Sequence, residues 1–278
     1  MTIPPTPPEL TDRRQLARQR ARAARAPAWF LHEAARDELK ERLQEVNRTF
    51  TKPAIVTGAP DFWAGAFPGA RIVGDDPVLA LAPGAHDLVI HALALHWADD
   101  PVGQIVQCRR ALAPDGLFLA ALFGGRTLHE LRASLAEAEV ALTGGLSPRI
   151  APMAEIRELG GLLQRAGLAL PVADSLMQEV RYATPLGLMH DLRAMGEGNA
   201  LAARRRRAAP RSLFAEAARR YSEAFAGADG RVPASFEMIF LTGWAPHPDQ
   251  QQPQRPGSAL SRLADALGTS ERPAGEKP

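Results

Sequence analysis

The sequence predicts an α/β fold built on a parallel, doubly wound sheet. Three features of one stretch carry this prediction: an apolar run over Asp87–Ala92, a helical segment that starts near Asp100 and Pro101, and a second apolar run over Leu117–Phe123. Short, continuous apolar runs are typical of strands buried on both faces. Two such strands joined by a helix form a right-handed crossover, which is the unit of a parallel sheet.

The carboxyl ends of these two strands are where we expect any site. In doubly wound sheets, ligands bind beyond the carboxyl ends of the strands. The segments His91–Trp97 and Phe123–Arg126 follow the two predicted strands. They are therefore expected to form the mouth of a binding site.

The N-terminal fifty residues predict a disordered start followed by helices. Residues 1–9 are rich in proline, a composition typical of extended or disordered chain. Residues 10–26 carry six arginines, which favours either a basic arm for an acidic partner, RNA or a membrane, or a solvated helix face. We favour the solvated face, because no aromatic residues interleave to stack on bases. A second helix, starting near Trp29 and extending past Leu43, is expected to pack on the edge of the sheet.

The remainder predicts one domain over residues 51–248. Its first strand is Lys52–Gly58, and a short strand follows at Ala70–Gly74. Helical insertions at about 125–152 and 185–228 are expected to form a cap over the mouth. Residues 249–278 are rich in Gln, Pro and Ser and are predicted to be largely disordered, with a short helix at Leu260–Leu267 as an option.

Composition limits the classes of function. The formal net charge is +2, so nothing global requires nucleic acid or anionic lipid, and a nucleic-acid partner is not expected. The single cysteine, Cys108, excludes an internal disulfide framework and is typical of a reducing compartment. No apolar run approaches the length that spans a bilayer. We expect a cytoplasmic protein, with a peripheral position at the membrane face left open.

Longer motifs resemble a known family. The pattern D-L-V-x-x-x-L-x-L-H-W at Asp87–Trp97, followed by A-L-x-P-D-G-L-F at Ala111–Phe118, resembles class I S-adenosylmethionine-dependent methyltransferases. Within them, the chain resembles the branch of the methyltransferase-like assembly factor of respiratory complex I, an arginine hydroxylase, and its bacterial relatives. The segments that carry this second resemblance are Gly124–Glu139, Gly144–Pro152, Leu159–Leu168, Asp191–Leu201 and Asp229–Pro246.

The resemblance implies a Rossmann-like methyltransferase sheet, S-adenosylmethionine as cofactor, and a protein or small-molecule substrate. For the assembly-factor branch it implies modification of an arginine in a subunit of complex I. An alternative stays open, a non-catalytic assembly scaffold that has lost cofactor binding. No residue of the chain is assigned a catalytic role at this point.

The chain departs from the family where the cofactor would bind. Thr57 and Gly58, followed by Ala59-Pro60, stand where the family has a glycine-rich loop. Between Gly58 and Asp87 there is room for only one strand, so the sheet is predicted to be shortened in its N-terminal half. The family's second strand, with its ribose-binding acidic residue, is predicted to be missing. Asp75 or Asp76 either replaces that residue or simply ends a strand, and the two interpretations are about even.

Three histidines, His86, His91 and His96, recur at intervals of five residues. An odd spacing places His86 and His91 on opposite faces of a strand, so no metal site is predicted there. His91 and His96 are candidates for lining the cofactor pocket, and the alternative is that they are ordinary buried histidines. The candidate cofactor-binding set is Thr57, Gly58, Asp75, Asp76, His91 and His96.

The candidate substrate or partner residues lie at the mouth and in the insertions. Arg149 is proposed to anchor a carboxylate or an acidic partner, because a guanidinium suits bidentate recognition of an anion. The alternative is that Arg149 holds carbonyls of its own loop. The complete set of these candidates is Trp97, Gly125, Arg126, Arg149, Glu197 and Asn199.

Overall fold

A single mixed sheet organises the structure, a computed structural model that describes residues 9–247 and residue 268. The predictions for residues 1–8 and for the helix at Leu260–Leu267 lie outside the described residues. The strands are β1 (Pro53–Thr57), β2 (Arg71–Val73), β3 (His86–Ala92), β4 (Leu112–Phe123), β5 (Ala169–Tyr182) and β6 (Val232–Trp244).

The sheet has the order β2-β1-β3-β4-β6-β5. Strands β2, β1, β3 and β4 are parallel, and β6 is antiparallel to both β4 and β5. The predicted α/β class with a doubly wound sheet is confirmed. The sheet is also short on its N-terminal side, where the three-residue strand β2 pairs directly with β1.

The helices are α1 (Arg13–Ala23), α2 (Phe30–Glu45), α3 (Pro60–Trp63), α4 (Pro101–Ala111), α5 (His129–Thr143), α6 (Ile156–Arg165), α7 (Pro185–Ala194) and α8 (Arg211–Phe225). The start of α4 follows its predicted signals: the Asp100 side chain accepts a hydrogen bond from the Gly103 N–H at 2.8 Å, and Pro101 occupies the first helical position. A 3₁₀ turn, Leu95–Trp97, connects β3 to this helix.

Helices cover both faces of the sheet. Leu31, Ala35 and Leu39 of α2 belong to the same buried cluster as Ile55 and Leu88 in the central strands. The expectation that this helix packs on the edge of the sheet is therefore wrong. Apolar residues four positions apart form a stripe that covers the sheet face, where more apolar area is buried than at an edge.

Helices α5, α7 and α8 pack on the same face as α2, and α4 and α6 pack on the opposite face. The loops around α5, α7 and α8 extend past the carboxyl ends of β3 and β4 and build the walls of a cavity there. Within residues 9–247, no helix combines the length and the apolar character needed to cross a bilayer.

Helix α1 does not match the favoured interpretation of a solvated basic face. Leu16 and Ala23 are buried, and Arg13 and Arg20 point inward to a buried carboxylate, that of Asp75. The solvated interpretation is wrong for these two arginines. It holds for other arginines of the segment, which are exposed: Arg14, Arg18, Arg22 and Arg25.

Candidate functional site

The carboxyl ends of the parallel strands bring several predicted residues to one edge. Val56 of β1 lies in register with Val73 of β2 and with His91 of β3. Thr57 and Gly58 therefore leave β1 beside the loop that carries Asp75. The parallel pairing of β2 with β1 is what places this acidic loop directly next to Gly58.

Asp75 is the most strongly paired carboxylate of this edge. Its side chain is 6% exposed, and both of its oxygens accept from Arg20, Oδ1 from Nη1 at 2.7 Å and Oδ2 from Nη2 at 3.0 Å. Arg13 adds a longer contact to Oδ2 at 3.4 Å. Burial opposes ionisation of Asp75, but the hydrogen bonds and charge of Arg20, with the charge of Arg13, outweigh burial and lower its pKa.

Gly58 lies directly under the same guanidinium. A Cβ atom at Gly58 would overlap the Arg20 guanidinium, so the absence of a side chain is what lets Arg20 approach. The buried Thr57 turns the chain here, since its hydroxyl accepts from the Ala59 N–H at 3.1 Å. Beside Gly58 and Pro60 there remains a cavity of about 210 Å³.

Asp76 and His91 lie away from that cavity. The Asp76 side chain is 79% exposed, and its Oδ1 is 4.0 Å from Arg13. His91 is fully buried, and its Nε2 lies 2.8 Å from Gln104 Oε1. Gln104 in turn donates to the backbone carbonyls of Asp75 and Asp76, each at 3.2 Å. His91 thus supports the Asp75 loop from beneath, which matches the alternative interpretation, a buried histidine, and burial lowers its pKa to about 4.

A second and larger cavity, of about 540 Å³, is lined by residues of the two insertions, at about 125–152 and 185–228, and by the strand ends. We call it the cap cavity. Its walls are mainly apolar, and they come from the 3₁₀ turn after β3, the end of β4, and helices α1, α2, α5, α7 and α8. Its charged lining residues are Glu197, Arg22, Arg149 and Arg193. Trp97 and Phe123 belong to the sheet side, and Leu135, Met153, Met189 and Phe214 belong to the cap side. Cavities of this size and character are typical of small-molecule or side-chain binding sites.

Glu197 brings a negative charge to the junction of the two cavities, since it lines both. Its Oε2 accepts from Trp97 Nε1 at 2.9 Å and lies 3.3 Å from His96 Nε2. Burial opposes ionisation, but the charge and hydrogen bond of His96, the charge of Arg20 and the Trp97 bond outweigh it and lower the pKa of Glu197. Among the described residues, nothing donates a hydrogen bond to Oε1.

His96 helps to hold this carboxylate. Its side chain is 1% exposed, and its ring packs against Phe123 at 5.0 Å between centroids. The Nδ1 atom is buried without a hydrogen-bond partner in the described part of the chain. Of the two histidines predicted to line the site, His96 is therefore the one that reaches a cavity-lining group.

Arg149 lines the cap cavity, but it is already paired with a carboxylate of its own chain. Its Nη2 lies 2.6 Å from Glu139 Oε1, and its Nε lies 3.1 Å from Oε2. The hydrogen bonds from Arg149, with those from Ser147, overcome burial and lower the pKa of Glu139 to about 2. The proposal that Arg149 anchors an external anion is corrected accordingly: it holds the Gly144–Arg149 loop onto α5.

Asn199 also has a structural role, and it joins the two insertions. Its Nδ2 donates to the Pro148 carbonyl at 2.9 Å, and its Oδ1 accepts from the Leu201 N–H at 3.1 Å. Gly125 and Arg126 form the turn after β4, where the Arg126 N–H donates to Glu237 at 2.8 Å. Neither residue of that turn lines the cap cavity.

Sequence reasoning missed the role of Arg20 and of its neighbour Gln19, which lines the cap cavity. A signal was available, because Arg13 and Arg20 are seven residues apart and so lie on one face of a helix. In residues 9–247 and at residue 268, no group of three metal-ligating side chains is placed to hold an ion.

Comparisons with known proteins agree with the family resemblance that the sequence motifs indicate. Arginine-hydroxylase NDUFAF5, mitochondrial, of Danio rerio is 38% identical over 198 residues, which cover 71% of this chain and 61% of that protein. The Homo sapiens protein of the same name is 38% identical over 192 residues, or 69% of this chain and 55% of that one. The chain thus spans less than two thirds of the length of these relatives.

A second group of relatives consists of malonyl-[acyl-carrier protein] O-methyltransferases. The malonyl-[acyl-carrier protein] O-methyltransferase of Xylella fastidiosa is 36% identical over 179 residues, or 64% of this chain and 58% of that protein. Among solved structures, Haemonchus contortus phosphoethanolamine N-methyltransferase 2 with S-adenosyl-L-methionine aligns at a TM-score of 0.42 and 11% identity, covering 76% of this chain and 53% of that one. No protein-family model matches the chain.

The relatives named as mitochondrial do not test the expected cytoplasmic location, which stays a prediction. The sequence identities do bear on the predicted resemblance. The chain is similar in sequence to the NDUFAF5 arginine-hydroxylases and to the malonyl-[acyl-carrier protein] O-methyltransferases, which confirms that resemblance.

Proposed function

We propose that this chain binds S-adenosylmethionine at the carboxyl ends of β1 and β2 and receives an arginine side chain of a protein in the cap cavity. The proposed partner is a subunit of respiratory complex I, as in the branch that the motifs resemble. Similarity to arginine-hydroxylases and to methyltransferases supports both parts of the proposal.

The observation that carries the proposal is the position of Glu197. A carboxylate with one oxygen held by Trp97 and the other without a donor lies in the wall of a mainly apolar cavity. Such a group favours a cation, and a guanidinium offers two parallel N–H donors to a carboxylate. The apolar walls suit the aliphatic stem of the same side chain.

The residues at the strand ends have the chemistry that the cofactor requires. Gly58 has no Cβ, which permits close approach of a ligand, and Asp75 offers two carboxylate oxygens to paired donors. When bound, S-adenosylmethionine supplies a methyl group activated by its sulfonium. In the present arrangement Arg20 occupies this place, so the residues fit the cofactor only after Arg20 has moved.

The chain's own residues would then act by binding and orientation. Trp97 and His96 keep the Glu197 carboxylate in one position and ionised, and Glu197 would orient the guanidinium. The apolar residues of α5 and α7 would exclude water around it. Positioning of this kind supplies a large share of the rate in group transfer, where proximity and alignment dominate.

Binding of matched peptides tests the arginine part of the proposal. We expect a short arginine peptide to bind more tightly than the same peptide with citrulline, which has the same shape and no charge. Glu197→Gln should abolish the preference, and Glu137→Gln on the exposed side of α5 should leave it unchanged. Equal binding of the two peptides by the wild-type protein would refute the assignment.

A second candidate function is a non-catalytic assembly scaffold that holds the partner and has no cofactor. The pairing of Arg20 with Asp75 over Gly58 favours this candidate, because it fills the place of the cofactor with a side chain of the protein. The two candidates differ in whether S-adenosylmethionine binds, and they share the cap cavity.

A further inference from the structure

We propose that helix α1 is a displaceable lid, in which Arg20 takes the place of the cofactor's ribose on Asp75 and must leave for the cofactor to bind. This inference rests on the proposed function, since it concerns the same site. It adds a means of control that couples the cofactor site to the cap cavity.

The geometry of the Arg20 pair is the first observation. Two N–H donors of one planar group each meet a different oxygen of Asp75, at 2.7 and 3.0 Å. Adjacent hydroxyls of a ribose present the same pattern, two neighbouring donors on one carboxylate. A guanidinium and a ribose therefore compete for the same two acceptors and cannot occupy them together.

The space over Gly58 is the second observation. The guanidinium lies where a Cβ atom of Gly58 would be, so it fills the gap that the glycine leaves open. The cavity that remains there measures about 210 Å³. Ligand pockets generally measure about 300 Å³ or more, so the remaining cavity is small for a nucleoside-bearing cofactor.

The lid is also attached to the loop that carries Glu197. Gln19 Nε2 donates to the Asn199 carbonyl at 2.9 Å, and the Asp12 N–H donates to the Ala200 carbonyl at 2.7 Å. Arg204 pairs with Asp12 at 2.9 Å. A displacement of α1 would therefore displace the segment that directly follows Glu197, and binding at one cavity would alter the other.

The lid is held by these polar contacts and by one small apolar cluster. Leu16 and Ala23 are the buried residues of α1, and Leu16 packs in a small apolar cluster with Trp97 and Leu201. Opening then requires the loss of this cluster and the exchange of the Arg20 pair for the ligand. A segment with few buried apolar contacts is of the kind that opens without unfolding the rest of the domain.

Calorimetric titration with S-adenosylhomocysteine tests the lid on three forms of the full chain: wild type, Arg20→Ala, and Arg18→Ala as the exposed control on the same helix. We expect Arg20→Ala to bind about tenfold more tightly or better, since a charged hydrogen-bonded pair no longer competes. Arg18→Ala should bind as the wild type does.

Hydrogen exchange on the wild-type protein provides a measurement that needs no variant to fold. The backbone amides of α1 should exchange faster when S-adenosylhomocysteine is saturating. Slower exchange of the α1 amides on binding would contradict the lid. So would a folded Arg20→Ala protein that binds S-adenosylhomocysteine no more tightly than the wild type does. Either result would leave the proposed cofactor site unaffected. Absence of binding by all three forms would overturn the cofactor part of the proposed function and the lid with it.

Discussion

Trp97 donates its indole N–H to Glu197 at 2.9 Å, a contact between residues one hundred positions apart in the sequence. Trp97 follows β3 and Glu197 follows α7, so the bond ties the sheet edge to the second cap insertion. It also positions one carboxylate oxygen in the wall of the cap cavity. The hydrogen bond from Trp97 thus orients the Glu197 carboxylate toward the cavity, where a ligand can reach it.

Replacement of Trp97 by phenylalanine should keep the aromatic contact and remove this donor. We expect Trp97→Phe to lower the free energy of unfolding by about 1 to 3 kcal/mol, because a buried carboxylate loses a hydrogen bond. Urea denaturation at neutral pH measures the change. Trp29→Phe is the control, since no hydrogen bond of the Trp29 indole occurs among the described residues, and a loss of equal size there would contradict the assignment.

The ion pair between Glu139 and Arg149 should make the free energy of unfolding depend on pH in the acidic range. The hydrogen bonds from Arg149 and Ser147 lower the pKa of Glu139 from 4.5 to about 2, so its ionised form stabilises the folded protein. Because the folded-state pKa is depressed, this contribution is present in full above about pH 4.5 and is lost as the pH falls toward 2.

Denaturation of Glu139→Gln across that range checks this. The variant should be less stable than the wild type at pH 7, and the difference should shrink as the pH falls from 4.5 toward 2. Glu179→Gln, whose side chain is 61% exposed, serves as the control. A difference that stays constant with pH would show that packing of the loop, not the charge of Glu139, is responsible.

His91 should make stability depend on pH in a higher range. Burial lowers its pKa from 6.5 to about 4, so the folded protein keeps the ring neutral while the unfolded chain takes up a proton. Stability should therefore fall as the pH decreases from about 6.5 to 4. Denaturation of His91→Gln should give a shallower slope over this range, and parallel profiles for the two proteins would contradict the buried, neutral state.

The predictable part of the fold came from local signals. The strands around α4 were recognised because two apolar runs and an Asp-Pro helix start all lie within Asp87–Phe123. The shortened sheet also followed from the short spacing between Gly58 and Asp87, which has room for one strand only, whereas the pairing of that strand with β1 is a finding of the structure.

The missed part of the site depended on partners that are distant in the sequence. Arg20 meets Asp75 across 55 positions, whereas Arg149 meets Glu139 ten positions back, on the helix that precedes its loop. A charged residue shows its charge in the sequence and not its partner, so a basic run looks solvated until the fold places a carboxylate beneath it. Glu197 was predicted as a candidate, but its bond to Trp97 required the sheet and the cap together.

Calorimetric titration of the wild-type chain with S-adenosylmethionine is the most direct measurement of the proposed function. We expect binding with a Kd in the micromolar range, because Gly58 and Asp75 keep the chemistry of the cofactor site and α1 can be displaced from it. No detectable heat from a folded protein, with the same result for Arg20→Ala, would contradict cofactor binding. The chain would then be a scaffold that keeps the cap cavity and in which Arg20 permanently replaces the cofactor.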